Sequence, residues 1–305
     1  MAGVDRTAAA SLFEELVAPN VVQQMTRQSV ALQTLPVISM GNQTTRIPVL
    51  AALPTAAFLN ADQAEKPQSS VAWDNKLLTA EEIAVIVPIS ETVLADATIN
   101  VTENVTRLIG QELGRVLDSA VFFGTGAPAT YPTGGIFGTA NTAGQTVVAT
   151  DDPAVDMNLL FGQLEALAFD PTNVYAGRAY KSSLRGQVST TNVPVYLPEQ
   201  GAGSFGSIYG VPLSYPMGWD GTKADALAVD RMGAMIGLRQ DVSIKILEEA
   251  SLTGFGNLAE KDSIAVRAVM RVGFQIANPV TVETGEQQYP VAALTPKPDV
   301  RRAKA

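Results

Sequence analysis

The string Gly201-Ala-Gly203-Ser-Phe-Gly206 matches GxGxxG, the pattern that cradles a dinucleotide pyrophosphate when it leaves a strand and opens a helix. Here Ser207 leads into Ile208-Tyr-Gly-Val-Pro-Leu213, which is turn and strand material, so the segment reads as a flexible loop. Gly124-Thr-Gly126 fails the same test because it follows a helix, and no GxxxxGK[ST] phosphate loop occurs. The acidic pairs Glu81-Glu82, Asp151-Asp152 and Glu248-Glu249 lack metal-type spacing and read as solvated or capping groups. Histidine and cysteine are absent from all 305 residues. That excludes Ser-His-Asp and Cys-His catalysis, disulfides and thiolate metal sites. Carboxylate or lysine chemistry stays open, but nothing concentrates it. The expectation is therefore no catalytic, cofactor-binding or metal site.

Charge and targeting point the same way. The net charge is −9, while the end of the chain carries Lys297, Arg301, Arg302 and Lys304 against Asp299 alone. An acidic body lacks the basic stripe of a dedicated nucleic-acid-binding surface, and the short basic tail reads as a solvated terminus. The N-terminus has no basic-then-apolar leader, and no run approaches the roughly 18 apolar residues of a membrane span. A soluble protein made in a cytoplasm is expected. Trp73 and Trp219 have few basic neighbours and read as packing or interface residues rather than a base-stacking platform.

The elements that must position these residues are unusual. Asn100 to Phe123 predicts one long amphipathic helix, with Asn100 as cap and Glu103 as the capping-box acid. Val101, Val105, Leu108, Ile109, Val116, Leu117, Ala120 and Val121 define its apolar face, and Thr106, Arg107, Gln111 and Arg115 fall mainly on the other. Gly124 is placed to end it in a left-handed turn. At 1.5 Å per residue such a helix spans roughly 35 Å, a whole domain diameter.

Residues 1–35 read as an arm, with short helical character over 8–17. Residues 36–89 read as a long hairpin whose arms are Thr44–Leu50 and a run from Trp73 to Ile89. Its polar tip, Asn60 through Glu65 and Lys66 to Ser70, is too long for an ordinary turn. A projecting two-stranded ribbon is marginal alone, so a neighbouring subunit is the natural support. Residues 151–250 read as a mixed α/β unit opened by Pro153 and a face of Val155, Leu159, Leu160, Leu164 and Leu167. Ile264 to Ile276 then alternates strictly, with Arg267, Arg271 and Gln275 pointing the other way. So long a strand is expected to pair with the run before the long helix, which makes the 151–250 unit an insertion.

This order resembles the HK97-type major capsid protein of tailed double-stranded DNA bacteriophages. The resemblance rests on Ile86-Val-Pro-Ile-Ser-Glu91, Leu117-Asp118-Ser-Ala-Val-Phe-Phe-Gly-Thr-Gly126, Gly210-Val-Pro-Leu213 and Ala234-Met-Ile-Gly-Leu-Arg239. Ile264-Ala-Val-Arg267, Arg271 and Asn278-Pro279 complete it. It implies an α+β fold with an N-arm (1–35), an E-loop hairpin (36–82) and a peripheral P domain (83–150 and 251–290) built on a spine helix. An inserted α/β axial A domain (151–250) and a basic tail (291–305) complete that plan.

The resemblance further implies hexamers and pentamers tiling an icosahedral shell around double-stranded DNA that is not specifically recognised. The host cytoplasm is the expected place of assembly, with a portal and a decoration protein among the partners. Because the hairpin begins within about 40 residues of Met1, a separate scaffolding protein, or none, is expected rather than a cleaved leader segment. The residues implied in assembly are Asn60, Glu65, Lys66, Trp73 and Lys76 on the E-loop, Val105, Leu108, Arg115 and Leu117 on the spine, and Arg267 and Arg271 on the P-domain strand. Some relatives join subunits by an isopeptide bond. Lys66 and Lys76 are the candidate lysines, while Asn257 and Asp262 give no clear match to the acceptor. Two alternatives stand beside this reading: an encapsulin-like compartment enclosing enzyme cargo, and a cytoplasmic carboxylate-dependent α/β enzyme.

Overall fold

The computed structural model describes residues 29–58, 66, 68–92, 101–150, 152–185 and 206–297. The expected arm helix over 8–17, the Asn100 cap, most of the glycine string and the basic residues beyond Lys297 lie outside these residues.

The long strand Ser263–Ile276 (β13) organises one half of the chain. It pairs antiparallel with Glu81–Ser90 (β4), Ile264 facing Ile89 and Met270 facing Ile83. The expected pairing with the run before the spine is thus present. On its other side β13 pairs antiparallel with Ala234–Leu247 (β10), and Val37–Ser39 (β1) adds parallel to β10, giving the order β1-β10-β13-β4. The spine helix Val101–Phe123 packs on one face of this sheet. Ile109, Leu113, Leu117 and Val121 share a core with Val266, Ala268, Met270, Val272, Phe274 and Ile276.

The helix stops where expected. Gly124 has φ 64°, and its N–H donates to the Ala120 carbonyl at 3.0 Å. A Cβ there would stand 2.6 Å from the Gly134 Cα, so glycine is required both for the turn and for the close approach of the returning loop.

A second, six-stranded sheet has the order β5-β14-β9-β6-β8-β7: Thr146–Val148, Val291–Thr295, Ala226–Val229, Asn173–Ala176, Val211–Ser214 and Ser207–Ile208. Its central strands are buried on both faces. Val291 and Ala293 face the spine core, and Ala292 and Leu294 face a separate core with Leu160, Phe161 and Leu164 of helix Pro153–Glu165. Asp152 caps that helix through its Oδ1, which accepts from the Ala154 N–H at 3.0 Å.

Two boundaries differ from the sequence reading. Residues 234–247, assigned to the inserted unit, belong to the β13 sheet, because their alternating pattern serves that half-buried surface. The segment assigned to the tail from 291 begins with the buried strand β14, whose two-sided burial removes the polar alternation that marks a strand.

The hairpin is shorter than the sequence suggested. Its arms are Thr44–Ala52 (β2) and Ala72–Thr79 (β3), and the run from Trp73 to Ile89 breaks at Ala80, where the chain passes from the hairpin into β4. Met40, Leu78 and Ala80, with Ile47 against them, pack the hairpin base onto the outer face of the β13 sheet. Gly273 makes this approach feasible, since a Cβ there would lie 2.5 Å from the Thr79 carbonyl oxygen. Gly273→Ala is expected to cost about 1–3 kcal/mol by prising backbone from backbone. A lower denaturant midpoint at unchanged slope would show it.

Candidate assembly surface

Cross-strand register sorts the hairpin into two faces. Trp73 lies opposite Leu50, Asn75 opposite Pro48 and Leu77 opposite Arg46, all on one side. The alternate residues Ile47 and Leu78 face the base cluster. The first side has no cover within the subunit. Trp73 is 64% exposed and Leu77 50%, and Val71, just before β3, is exposed as well. Covering a large apolar side chain is worth about 1.5–3 kcal/mol, so the isolated subunit forgoes several such increments along one ribbon. Trp73 and Leu77 flank Asn75 on this side, which makes it the candidate for contact with another chain.

The other residues singled out in the sequence fall in several places. Lys66 is exposed, and Asn60 and Glu65 lie outside the described residues. Lys76 is half-buried, its Nζ 5.8 Å from the Tyr289 ring centre, in a cavity of about 210 Å³ lined also by Thr139, Thr142 and Gln275. On the spine, Leu117 is fully buried and Val105 packs at the core margin. Arg115 is exposed and pairs with Glu112, one helical turn away, at 2.5 Å.

Leu108 corrects the predicted helix face. It is 55% exposed, while Thr106, placed on the polar side, is buried. The face that meets the sheet is rotated by about one position, since Ile109 and Leu113 take the contacts expected of Leu108. The same holds on helix Pro153–Glu165, where Val155 and Leu159 are exposed and Met157 and Phe161 are buried instead.

Trp219 is a packing residue. Its ring stands edge-on to Phe123 at 4.9 Å, and its Nε1–H donates to the Ala224 carbonyl at 2.8 Å. Among the described residues no cluster of three acidic side chains could hold a metal ion, and Asp151 lies outside them. Glu81 instead accepts a hydrogen bond from the Thr130 hydroxyl at 3.0 Å.

The polar centre that the sequence reading missed is Asp118, fully buried on the spine. Its Oδ1 accepts from the Ser29 hydroxyl at 2.8 Å and from the Ala31 N–H at 3.1 Å, and its Oδ2 accepts from the Val30 N–H at 3.0 Å. Ser29 in turn accepts from the Leu32 N–H, capping the short helix Val30–Thr34. One carboxylate thus ties the segment leading in from the arm to the spine. At the far end of that short helix, Thr34 and the Tyr175 hydroxyl share a 2.7 Å hydrogen bond, which connects it to the second sheet. Burial pushes the Asp118 carboxyl up to about 6, against the hydrogen bonds from Ser29, Ala31, Val30 and Met217 that favour its charged form. The signal available in sequence was an acid flanked by residues that all had to be buried, Leu117, Ala120 and Val121.

Residues 11–286 match the phage capsid family, and the chain belongs to it. A similar solved structure from Microbacterium phage Oxtober96 is 40% identical with TM-score 0.78, covering 88% of this chain and 91% of that one. Another, from Mycobacterium phage Cain, is 29% identical with TM-score 0.78, covering 98% and 100%. The capsid of a native GTA particle shares the fold at 14% identity and TM-score 0.62, covering 88% and 90%. No curated protein matches the chain. The α+β fold is HK97-like, and the protein is a phage major capsid protein, a structural component of the virion shell. The encapsulin and enzyme alternatives are not favoured by these matches.

Proposed function

We propose that this subunit closes into an icosahedral shell through hexamers and pentamers, each hairpin lying over the next copy, around double-stranded DNA held without sequence recognition. The observation that carries this reading is the uncovered apolar face of the hairpin. A subunit whose Trp73 and Leu77 meet solvent gains by repeating one heterologous contact, and such contacts close into rings when the rotation permits. The acidic body suits a container, because a basic wall would bind the packaged polymer through its phosphates and hinder its movement. No catalytic activity belongs to this role. The partners it calls for are a scaffolding protein, a portal and a decoration protein, with assembly in the host cytoplasm.

The test is electron microscopy of purified particles with nuclease treatment. Five- and six-fold rings in shells holding nuclease-protected DNA support the reading, whereas shells filled with protein cargo would move it to a compartment. Covalent joining is not expected. Lys76 is engaged over Tyr289, and the Asn257 side chain already accepts from the Ala259 N–H at 3.2 Å. Boiled particles should run as a single monomer band on a denaturing gel, and a ladder would refute this.

A further inference from the structure

The cavity of about 210 Å³ beside Lys76 opens between the hairpin and the body of the subunit, and its charge is one-sided. Lys76 enters it from β3, opposite Ile47 and so on the hairpin face turned toward the body. Thr133 comes from the loop after the spine, and Thr139 and Thr142 from helix Gly135–Thr142. Gln275 comes from the end of β13 and Tyr289 from the approach to β14. The lining holds this one cation and no acid. Among the described residues Lys76 forms no ion pair, and its Nζ rests 5.8 Å from the Tyr289 ring centre, near the outer limit of a cation–π contact. A lysine that merely covers apolar surface keeps its head in water. This one is half-buried and has exchanged part of its hydration for a weak contact, a loss that an anion would offset.

The hydroxyl groups discriminate among anions. Thr139 and Thr142 donate within the helix to the Gly135 and Gly138 carbonyls, both at 2.8 Å, so toward the cavity they can only accept. The Gln275 amide is committed too, its Nε2 donating to the Leu77 carbonyl and its Oε1 accepting from the Ile276 N–H, both at 3.1 Å. The Thr133 and Tyr289 hydroxyls have no hydrogen-bond partner among the described residues and are free to donate. Donors to an anion thus stand beside acceptors that need a proton. Carboxylate and sulfate bring acceptors alone, whereas inorganic phosphate keeps a P–OH at neutral pH. The space is small for a drug-sized ligand and ample for one tetrahedral oxyanion.

We propose that this cavity is a binding site for inorganic phosphate. Lys76, Thr133 and Tyr289 donate to its oxygens, and Thr139 and Thr142 accept from its P–OH. Because Lys76 belongs to the hairpin and the other four to the body, the bound ion holds the two together. The site stands on this geometry and does not depend on the shell reading.

Phosphate and sulfate share size and shape and differ in that proton, so the pair is the probe. Titrated into the full chain in phosphate-free buffer, phosphate is expected to bind saturably, one per chain. At a tenfold excess over Kd it should raise Tm by about 2–4 °C. Sulfate at equal ionic strength should bind at least about tenfold more weakly. K76M should keep its circular dichroism and lose at least about tenfold in phosphate affinity. T139V/T142V should bind the two ions alike. Amides of β2 and β3 should exchange more slowly with phosphate present, and not in K76M. Equal Tm rises with sulfate and in K76M would overturn the proposal as a general salt effect. So would the absence of saturable binding, or binding that leaves exchange in the hairpin unchanged. Displacement of phosphate by a short oligonucleotide would also overturn it, assigning Lys76 to the diesters of a polymer.

Discussion

Subunits carrying Trp73→Ala and Leu77→Ala should fold normally and assemble no shells. In the isolated chain Trp73 lies mostly in water and Leu77 is half exposed, so truncating them removes only part of a side chain's packing and should change unfolding free energy by about 1 kcal/mol at most. In the shell each would fill a site on a neighbour, where a buried aromatic anchor is commonly worth 2 kcal/mol or more. Because the contact recurs at every subunit, the loss multiplies around each ring. Sedimentation would show the wild-type particle peak replaced by a slow species, with circular dichroism unchanged and Tm little changed. Deleting residues 61–70 from the tip should have the same outcome. Normal shells from either variant would remove the hairpin from the assembly account.

The largest effect on the subunit itself is expected at Asp118. Asp118→Ala leaves the Ser29 hydroxyl and the Val30 and Ala31 N–H groups without their acceptor in a sealed environment. Each unsatisfied buried donor costs about 1–3 kcal/mol, so a loss of roughly 3 kcal/mol or more is expected, together with release of residues 29–35 from the spine. Hydrogen exchange at Val30 and Ala31 should rise well before the β13 core opens.

The same group sets a pH dependence. Its folded value, about 6, lies above the ordinary carboxylate value of 3.8, so the folded chain holds this proton more tightly than the unfolded one. The stabilisation is complete below about pH 4 and is lost as pH rises through 6, an effect of roughly 3 kcal/mol. Asp118→Asn keeps the volume but turns an amide donor toward donors. It should be less stable by about 2 kcal/mol and lack that slope between pH 4 and 6. An unchanged slope in Asp118→Asn would assign the titration elsewhere.

Much of this architecture was legible because its signals are local. Period-two alternation over Ile264–Ile276 identified β13, whose two faces differ in polarity. The length of the spine and its stop at Gly124 followed from apolar spacing and one glycine. What escaped had non-local causes. Val291–Thr295 is covered on both faces, so its composition does not alternate, and it sits in the second sheet only because β5 and β9 flank it. Leu108, Val155 and Leu159 have core-type side chains at helical spacing. Periodicity cannot tell a face that meets its own sheet from one left open, and the open ones are where a shell protein has reason to keep apolar residues. Asp118 was hidden for the opposite reason: its hydrogen-bond partners lie nearly ninety positions away in sequence.

On the proposed function, this chain builds closed shells by repeating one contact made through its hairpin. The most direct measurement is negative-stain electron microscopy of the purified protein, alongside size-exclusion chromatography and with a scaffolding partner supplied. Closed shells or ring-shaped capsomers eluting far ahead of a ~32 kDa subunit are expected. A monomer that persists at high concentration with scaffold present would contradict it.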